Sequence, residues 1–205
     1  MPGMDRVQNA ILARKARRKI MSERNKKTRS KQKLTTRRMV MGGVFGAICV
    51  VLGVSGIGMI PVPNLTGRAT IMHVPVILAA VLEGPLIGGF TGLIMGVYSL
   101  MTASLVPDPI VTILPRILIG VVSGFVYKAF GRHHMLGAAF AGICGTITNT
   151  VGYLGLAILF GYLPAAVWIA SLPQFIVELI LATVLTVALV RVILRAMPNY
   201  GEERR

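Results

Sequence analysis

The fold is decided by the stretch from Gly67 to Leu100, GRATIMHVPVILAAVLEGPLIGGFTGLIMGVYSL. Arg68 and His73 stand at the start of a dense apolar run, which turns at Glu83-Gly84-Pro85 and continues as a second apolar limb. Each limb is close to the roughly 17 residues that a helix needs to cross a hydrocarbon layer at about 1.5 Å per residue. Polar side chains lie at the outer ends, with almost none between. The stretch therefore predicts a membrane helical hairpin with a binding site at its open end.

The composition of the whole chain also favours a membrane protein. Hydrophobic residues make up 54% of the 205 positions and the mean hydropathy is +0.72, which argues against a soluble globule. Only seven Asp, Glu, Lys or Arg residues lie between positions 39 and 190. We expect a basic arm at 1–38, one transmembrane domain at 39–197 and a short tail at 198–205.

The basic arm sets the expected orientation. Residues 1–38 hold fourteen Lys or Arg against two acids, directly before the first apolar span. In a soluble protein a net charge of +15 would suggest nucleic acid. Next to a membrane span, the same charge indicates a cytoplasmic segment that contacts anionic lipids. We therefore expect membrane lipids as a partner of a partly disordered arm, and no nucleic acid.

Proline and glycine breaks divide the apolar residues into six predicted spans. Their approximate bounds are 39–60, 68–82, 85–103, 110–130, 136–160 and 172–197. Pro173 suits the first turn of the last span, and 161–171 is either a surface turn or the start of that helix. An even number of spans keeps the arm, the Lys128–Arg132 turn and the basic tail on one side. The predicted fold is an all-α bundle of six transmembrane helices with both termini cytoplasmic.

Polar side chains fall at one depth in this arrangement. Because successive spans run in opposite directions, the polar residues of five spans all lie in the outer half. Ionisable groups in a membrane cost about 2.5–3.5 kcal/mol on insertion scales. Single shallow residues can reach the interface instead, but agreement across five spans predicts a shared outward-facing pocket. The residues expected to line it are Arg68, His73, Tyr98, Arg116, Asn149, Tyr153, Gln174 and Glu178.

Arg116 has two possible roles. A guanidinium is always charged and presents a planar fork that suits a carboxylate or phosphate. It either binds an anionic group of the ligand or pairs with Glu178, the one serious acidic candidate in the outer half. Both alternatives remain open from the sequence.

Small residues and missing motifs complete the sequence evidence. Gly88, Gly92 and Gly96 recur every four residues and predict a close helix contact. The first span carries two overlapping small faces, Gly42/Gly46 and Gly43/Ala47. The chain has no phosphate loop, no HExxH and no Gly-x-Ser-x-Gly. We expect no catalytic residues, no metal and no cofactor.

Three ordered motifs resemble a known family. They are MIPVPNLTGRATIMHVPVILAAVLEGPLIGGFTGLIMGVYSL, DPIVTILPRILIGVVSGFVYK and GTITNT. Over about 36–197 the chain resembles the substrate-binding S components of energy-coupling factor (ECF) vitamin transporters, most of all the pantothenate type. The resemblance implies a multi-pass protein of a prokaryotic plasma membrane that binds a small vitamin near the outer side. It also implies a transmembrane coupling subunit and two ABC ATPases as partners.

The resemblance also assigns roles to particular residues. It implies that Pro115-Arg116 and Thr148-Asn149-Thr150 belong to the site, whereas Pro173-Gln174 departs from the usual Pro-Glu pair. It implies a loop that covers the pocket, formed by Leu65, Thr66, Gly67 and Thr70. It implies a coupling-subunit contact on the first span, formed either by Gly43 and Ala47 or by Gly42 and Gly46. The alternatives are S components for riboflavin, folate or hydroxymethylpyrimidine, an intramembrane enzyme, and a structural or regulatory membrane protein without transport activity.

Overall fold

The computed structural model describes residues 17, 21, 36–61, 68–102, 106–131 and 133–196. Between 36 and 196, these segments contain six helices and one two-stranded hairpin. The elements are α1 Thr36–Val54, β1 Met59–Pro61, β2 Arg68–Thr70, α2 Val74–Glu83, α3 Pro85–Thr102, α4 Pro109–Ala129, α5 His134–Leu159 and α6 Val167–Ala196. Backbone contacts separate Met1–Val40 from Met41–Arg205, and the packing described below is that of the second unit. The predicted tail at 198–205 lies outside the described residues.

Helix α2 forms the centre of this unit and differs from the other five helices. The other five are long and apolar enough to cross a membrane, whereas α2 has ten residues. At 1.5 Å per residue it is about 15 Å long, roughly half of a hydrocarbon core. All ten residues are buried, and α2 contacts α3, α4, α5 and α6. Helix α2 is therefore shorter than the predicted span at 68–82.

The hairpin explains why two predicted helix boundaries are wrong. Helix α1 ends at Val54 rather than near residue 60, and β1 pairs with β2 in the antiparallel register Met59↔Thr70, Ile60↔Ala69. Helix α2 starts at Val74 rather than at residue 68, because residues 68–70 form strand β2. Pro75 lies in the first turn of α2, where the missing N–H of a proline costs no helical hydrogen bond.

Helix α6 begins earlier than predicted. It starts at Val167, and Gly161, with a φ of 77°, lies in the preceding turn. Pro173 is therefore inside the helix rather than at its start, where it removes one backbone donor. The predicted bounds of α3, α4 and α5 are confirmed to within two residues.

The glycine ladder of α3 packs directly on α4, as predicted. A Cβ added to Gly92 would overlap the carbonyl of Arg116, and one on Gly120 would overlap the backbone of Gly88. A Cβ on Gly96 would lie 3.0 Å from the Cα of Ile113. Backbones this close require glycine. We call this contact the α3–α4 seam. It fixes the position of the Arg116 backbone relative to α3.

Candidate ligand-binding site

One face of α5 carries a row of polar side chains. Thr146, Asn149 and Tyr153 are spaced three and four residues apart, so they share a face of the helix. The row covers about 10 Å along the helix axis at 1.5 Å per residue. Thr146 is fully buried and Asn149 is 9% exposed. Among the described residues, the Oδ1 atom of Asn149 has no hydrogen-bond partner.

His73 lies next to Thr146, at the N-terminal end of this row. It is the residue before α2 and is 0% exposed. Its Nε2 atom is 3.1 Å from the hydroxyl of Thr146, which in turn donates to the carbonyl of Gly142 at 2.9 Å. The other ring nitrogen of His73, Nδ1, is buried and has no partner within the described part of the chain.

Arg116 lies at the opposite end of the row. Its Cζ atom is 4.6 Å from the centre of the Tyr153 ring, a distance at which a cation is attracted to the face of an aromatic ring. The Nε and Nη1 atoms of Arg116 are buried and form no hydrogen bond in the described segments. His73 and Arg116 are therefore both joined to this face of α5, His73 through Thr146 and Arg116 through Tyr153.

Glu178 does not form an ion pair with Arg116. Its Oε1 atom accepts hydrogen bonds from the backbone N–H of Thr70 at 2.7 Å and from Nε2 of Gln174 at 2.9 Å. Glu178 is 3% exposed, and hydrogen bonds to a buried carboxylate are strong. Of the two roles open to Arg116, the structural pair with Glu178 is thus not observed. Glu178 instead connects α6 to strand β2.

The structure does not join every predicted residue to this cluster. Tyr98 packs against α1, where a Cβ on Gly53 would lie 2.6 Å from its Cζ atom. Only the backbone of Arg68 is described, in β2. Within the predicted loop over the pocket, Thr70 is described and bonded to Glu178. Leu65, Thr66 and Gly67 lie outside the described residues.

The two small faces of α1 have different environments. Gly42 and Gly46 face α3, where a Cβ on Gly42 would lie 2.9 Å from Ile87 and the hydroxyl of Thr91 donates to the Gly42 carbonyl. A Cβ on Gly43 would have nothing within 4 Å, and Ala47 is exposed. Gly42 and Gly46 are therefore packed against α3, whereas Gly43 and Ala47 lie on an uncovered face. The contact with a coupling subunit stays a prediction.

Sequence analysis missed one partner in the cluster and one link between loops. Thr146 was not among the predicted site residues, although it precedes Asn149 by three positions. Asp108 caps α4 by accepting from the backbone N–H of Ile110 at 2.8 Å, and it accepts from the hydroxyl of Tyr162 at 3.1 Å. This bond raises the pKa of Tyr162, because the phenol proton is held by a carboxylate. It joins the chain before α4 to the turn after α5.

The unpaired atoms indicate what the cluster can bind. A buried polar atom without a partner costs roughly 1–3 kcal/mol. Such atoms belong to Asn149, within the row, and to His73 and Arg116 at its two ends. A ligand with an anionic end and several polar groups would satisfy all three. In the described residues, no three His, Cys, Asp or Glu side chains are grouped to hold a metal.

Comparison with known proteins identifies the family. The model of the ECF transporter substrate-specific component matches residues 37–190, and the chain belongs to this family. It is therefore a multi-pass membrane protein and a transport component rather than an enzyme. As a substrate-specific component, it binds a substrate and works with other components of an ECF transporter.

Two relatives extend the comparison. The pantothenic acid transporter PanT of Lactococcus lactis subsp. cremoris is 31% identical over 187 residues, covering 76% of this chain and 93% of the relative. The solved structure of ThiT from Listeria monocytogenes has a TM-score of 0.60 and 18% identity, covering 82% of this chain and 98% of ThiT. At that identity the likeness to ThiT shows the fold alone.

Proposed function

We propose that this chain captures pantothenate at the outer face of a membrane and presents it for ATP-driven uptake. The observation that carries the proposal is the buried guanidinium of Arg116, whose Nε and Nη1 atoms lack partners in the described residues. A guanidinium in that state favours an anionic ligand group. The similarity to the pantothenic acid transporter of Lactococcus lactis supports the same substrate.

The shape of the cluster suggests how pantothenate would lie in it. Its carboxylate would bind Arg116, and its amide and hydroxyl groups would extend along α5 towards Asn149 and His73. Tyr153 would hold the guanidinium from one side. Glu178 would keep β2 over the site through Thr70, with Arg68 and the loop from Leu65 to Gly67 closing over the ligand.

A binding screen tests the substrate. The purified subunit in detergent would be titrated by calorimetry with pantothenate, riboflavin, folate, hydroxymethylpyrimidine and thiamin. We expect saturable binding of pantothenate, weaker by at least tenfold for each other compound. Tighter binding of another vitamin would reassign the substrate, and the absence of any binding would contradict the proposal.

We also propose a topology of six crossings in the plasma membrane of a prokaryote, with both termini in the cytoplasm. Helix α2 is too short to cross alone, so β2, the turn at 71–73 and α2 together would form the second crossing. Cysteine labelling from outside intact cells tests this topology. It should reach Asn64→Cys and miss Ser22→Cys, and labelling of Ser22→Cys would overturn it.

The proposed partners are a transmembrane coupling subunit and two ABC ATPases. The support for a helix contact is the face of α1 that carries Gly43 and Ala47, which α3 leaves uncovered. Small residues let another helix approach closely. The basic arm at 1–38 would remain on the cytoplasmic side, against anionic lipids.

A further inference from the structure

The hydroxyl group of Thr146 donates its hydrogen bond in a defined direction. It carries a single hydrogen, and its oxygen lies 2.9 Å from the carbonyl of Gly142, four residues earlier in α5. Threonines inside helices commonly donate to this carbonyl. A carbonyl oxygen can only accept, so this hydrogen bond uses the hydrogen of Thr146.

This direction determines the state of His73. Since the Thr146 hydrogen is used on Gly142, the Thr146 oxygen can only accept from Nε2 of His73, 3.1 Å away. Nε2 must therefore carry the proton in the neutral ring. In a neutral imidazole the other nitrogen is then an acceptor. That nitrogen, Nδ1, is the buried atom without a partner in the described residues.

Of the three side chains, only His73 has an acceptor fixed by its neighbour. An amide side chain can turn by 180° to present either its oxygen or its nitrogen, so Asn149 can accept or donate. Arg116 can only donate. The cluster therefore has an acceptor at the end formed by His73, an adaptable amide in the middle, and donors at the end formed by Arg116.

We propose that Thr146 is a positioning residue that fixes His73 as a hydrogen-bond acceptor. The site then selects monocarboxylic acids that carry a free hydroxyl or N–H group at the end remote from the carboxylate. The identity of the ligand rests on the proposed function, whereas the state of His73 does not. A ligand with an ether or another acceptor at that end meets the lone pair of Nδ1 and is rejected.

Nitrogen-15 NMR of the full chain in detergent tests the state of His73 without any ligand. The chain has three histidines, so His73→Gln assigns the His73 signals by difference. We expect the shifts and proton couplings of a ring protonated at Nε2. Thr146→Ser should preserve this pattern, and Thr146→Val should add the form protonated at Nδ1. A wild-type ring protonated mainly at Nδ1 would overturn the inference even if pantothenate binds.

Ligand analogues test the selectivity. Methylation of the pantothenate hydroxyls should weaken binding to the wild type and to Thr146→Ser by at least tenfold. In Thr146→Val the loss should fall below about threefold, because the ring can then turn its N–H towards the ether. Reduction of the carboxylate to an alcohol should weaken binding equally in all three proteins. Equal loss on methylation in Thr146→Val and in the wild type would contradict the role of Thr146.

Discussion

The α3–α4 seam and the polar face of α5 meet at Arg116, yet they are built in opposite ways. In the seam, glycines let two backbones touch, so no side chain can move between them. Along the polar face of α5, buried polar atoms of His73, Arg116 and Asn149 are left without partners in the described residues. The carbonyl of Arg116 is held by the seam against Gly92, while its guanidinium lies beside Tyr153 on that polar face. The rigid contact therefore keeps a costly, unpaired group in a fixed position.

The largest effect should come from adding a side chain in the α3–α4 seam, where the two backbones leave no room for one. Gly120→Ala would place a methyl group in the backbone of Gly88, and overpacking of this kind costs up to about 3 kcal/mol. Thermal unfolding in detergent should show a clear loss of stability. Gly155→Ala is the matched control on α5, because a Cβ there meets nothing within 4 Å. Equal unfolding temperatures for the two variants would contradict the description of the seam.

The next largest effect should be a loss of ligand affinity when Arg116 is replaced, without a loss of stability. Arg116→Ala should weaken pantothenate binding by at least roughly tenfold, about 1.4 kcal/mol, since the carboxylate loses its partner. Arg116→Lys should restore only part of the affinity, because an ammonium group lacks the planar fork. Calorimetry measures both, with the unfolding temperature as a control for folding. Unchanged affinity in a folded Arg116→Ala variant would remove this residue from the site.

A smaller effect is expected at the attachment of β2 to α6. Glu178→Ala removes the acceptor for the Thr70 amide, and the loss of such a bond costs about 1 kcal/mol. Ligand affinity should fall about fivefold, and hydrogen exchange at the Thr70 amide should accelerate. Glu178→Gln keeps an acceptor oxygen and should retain most of the affinity. Unaltered exchange at Thr70 in Glu178→Ala would show that the hairpin is held by other contacts.

The smallest effect on the isolated subunit should come from the uncovered face of α1. Ala47→Trp should leave ligand affinity and unfolding temperature unchanged, because Ala47 is exposed. Uptake by cells should nevertheless be lost, since a bulky side chain separates packed helices. Gly46→Trp is the contrasting variant: its side chain would collide with Ile94 of α3 and lower the unfolding temperature. Normal uptake by Ala47→Trp would place the partner on another surface.

Local spacing accounts for what could be predicted from the sequence. The close contact of Gly88, Gly92 and Gly96 follows from a repeat of four residues, and the bounds of α3 to α5 follow from the breaks at each end. The hairpin could not be predicted in the same way. Its strands have three residues each, and β2 is tied to Glu178, more than 100 positions away. Non-local contacts of this kind leave no periodic signal.

The candidate site shows the same division. Depth along the helices predicted that His73, Arg116 and Asn149 lie in the same half of the bundle, because depth depends only on length and direction. Which side chains face each other depends on rotation, and one residue turns a helix by about 100°. That angle separates Gly42, packed on α3, from Gly43, where an added Cβ would meet nothing within 4 Å. It also explains why the bond between His73 and Thr146 was not foreseen.

The short length of α2 has a consequence for biogenesis. A helix of ten residues is too short to insert into a bilayer by itself, and only Gly84 separates it from α3. It must therefore enter the membrane together with α3. Its remaining partners include α6, which is the last of the described helices along the chain. Because His73 stands at the start of α2, the site is completed only when translation has passed α6, so chains that stop before residue 167 should insert but not bind ligand.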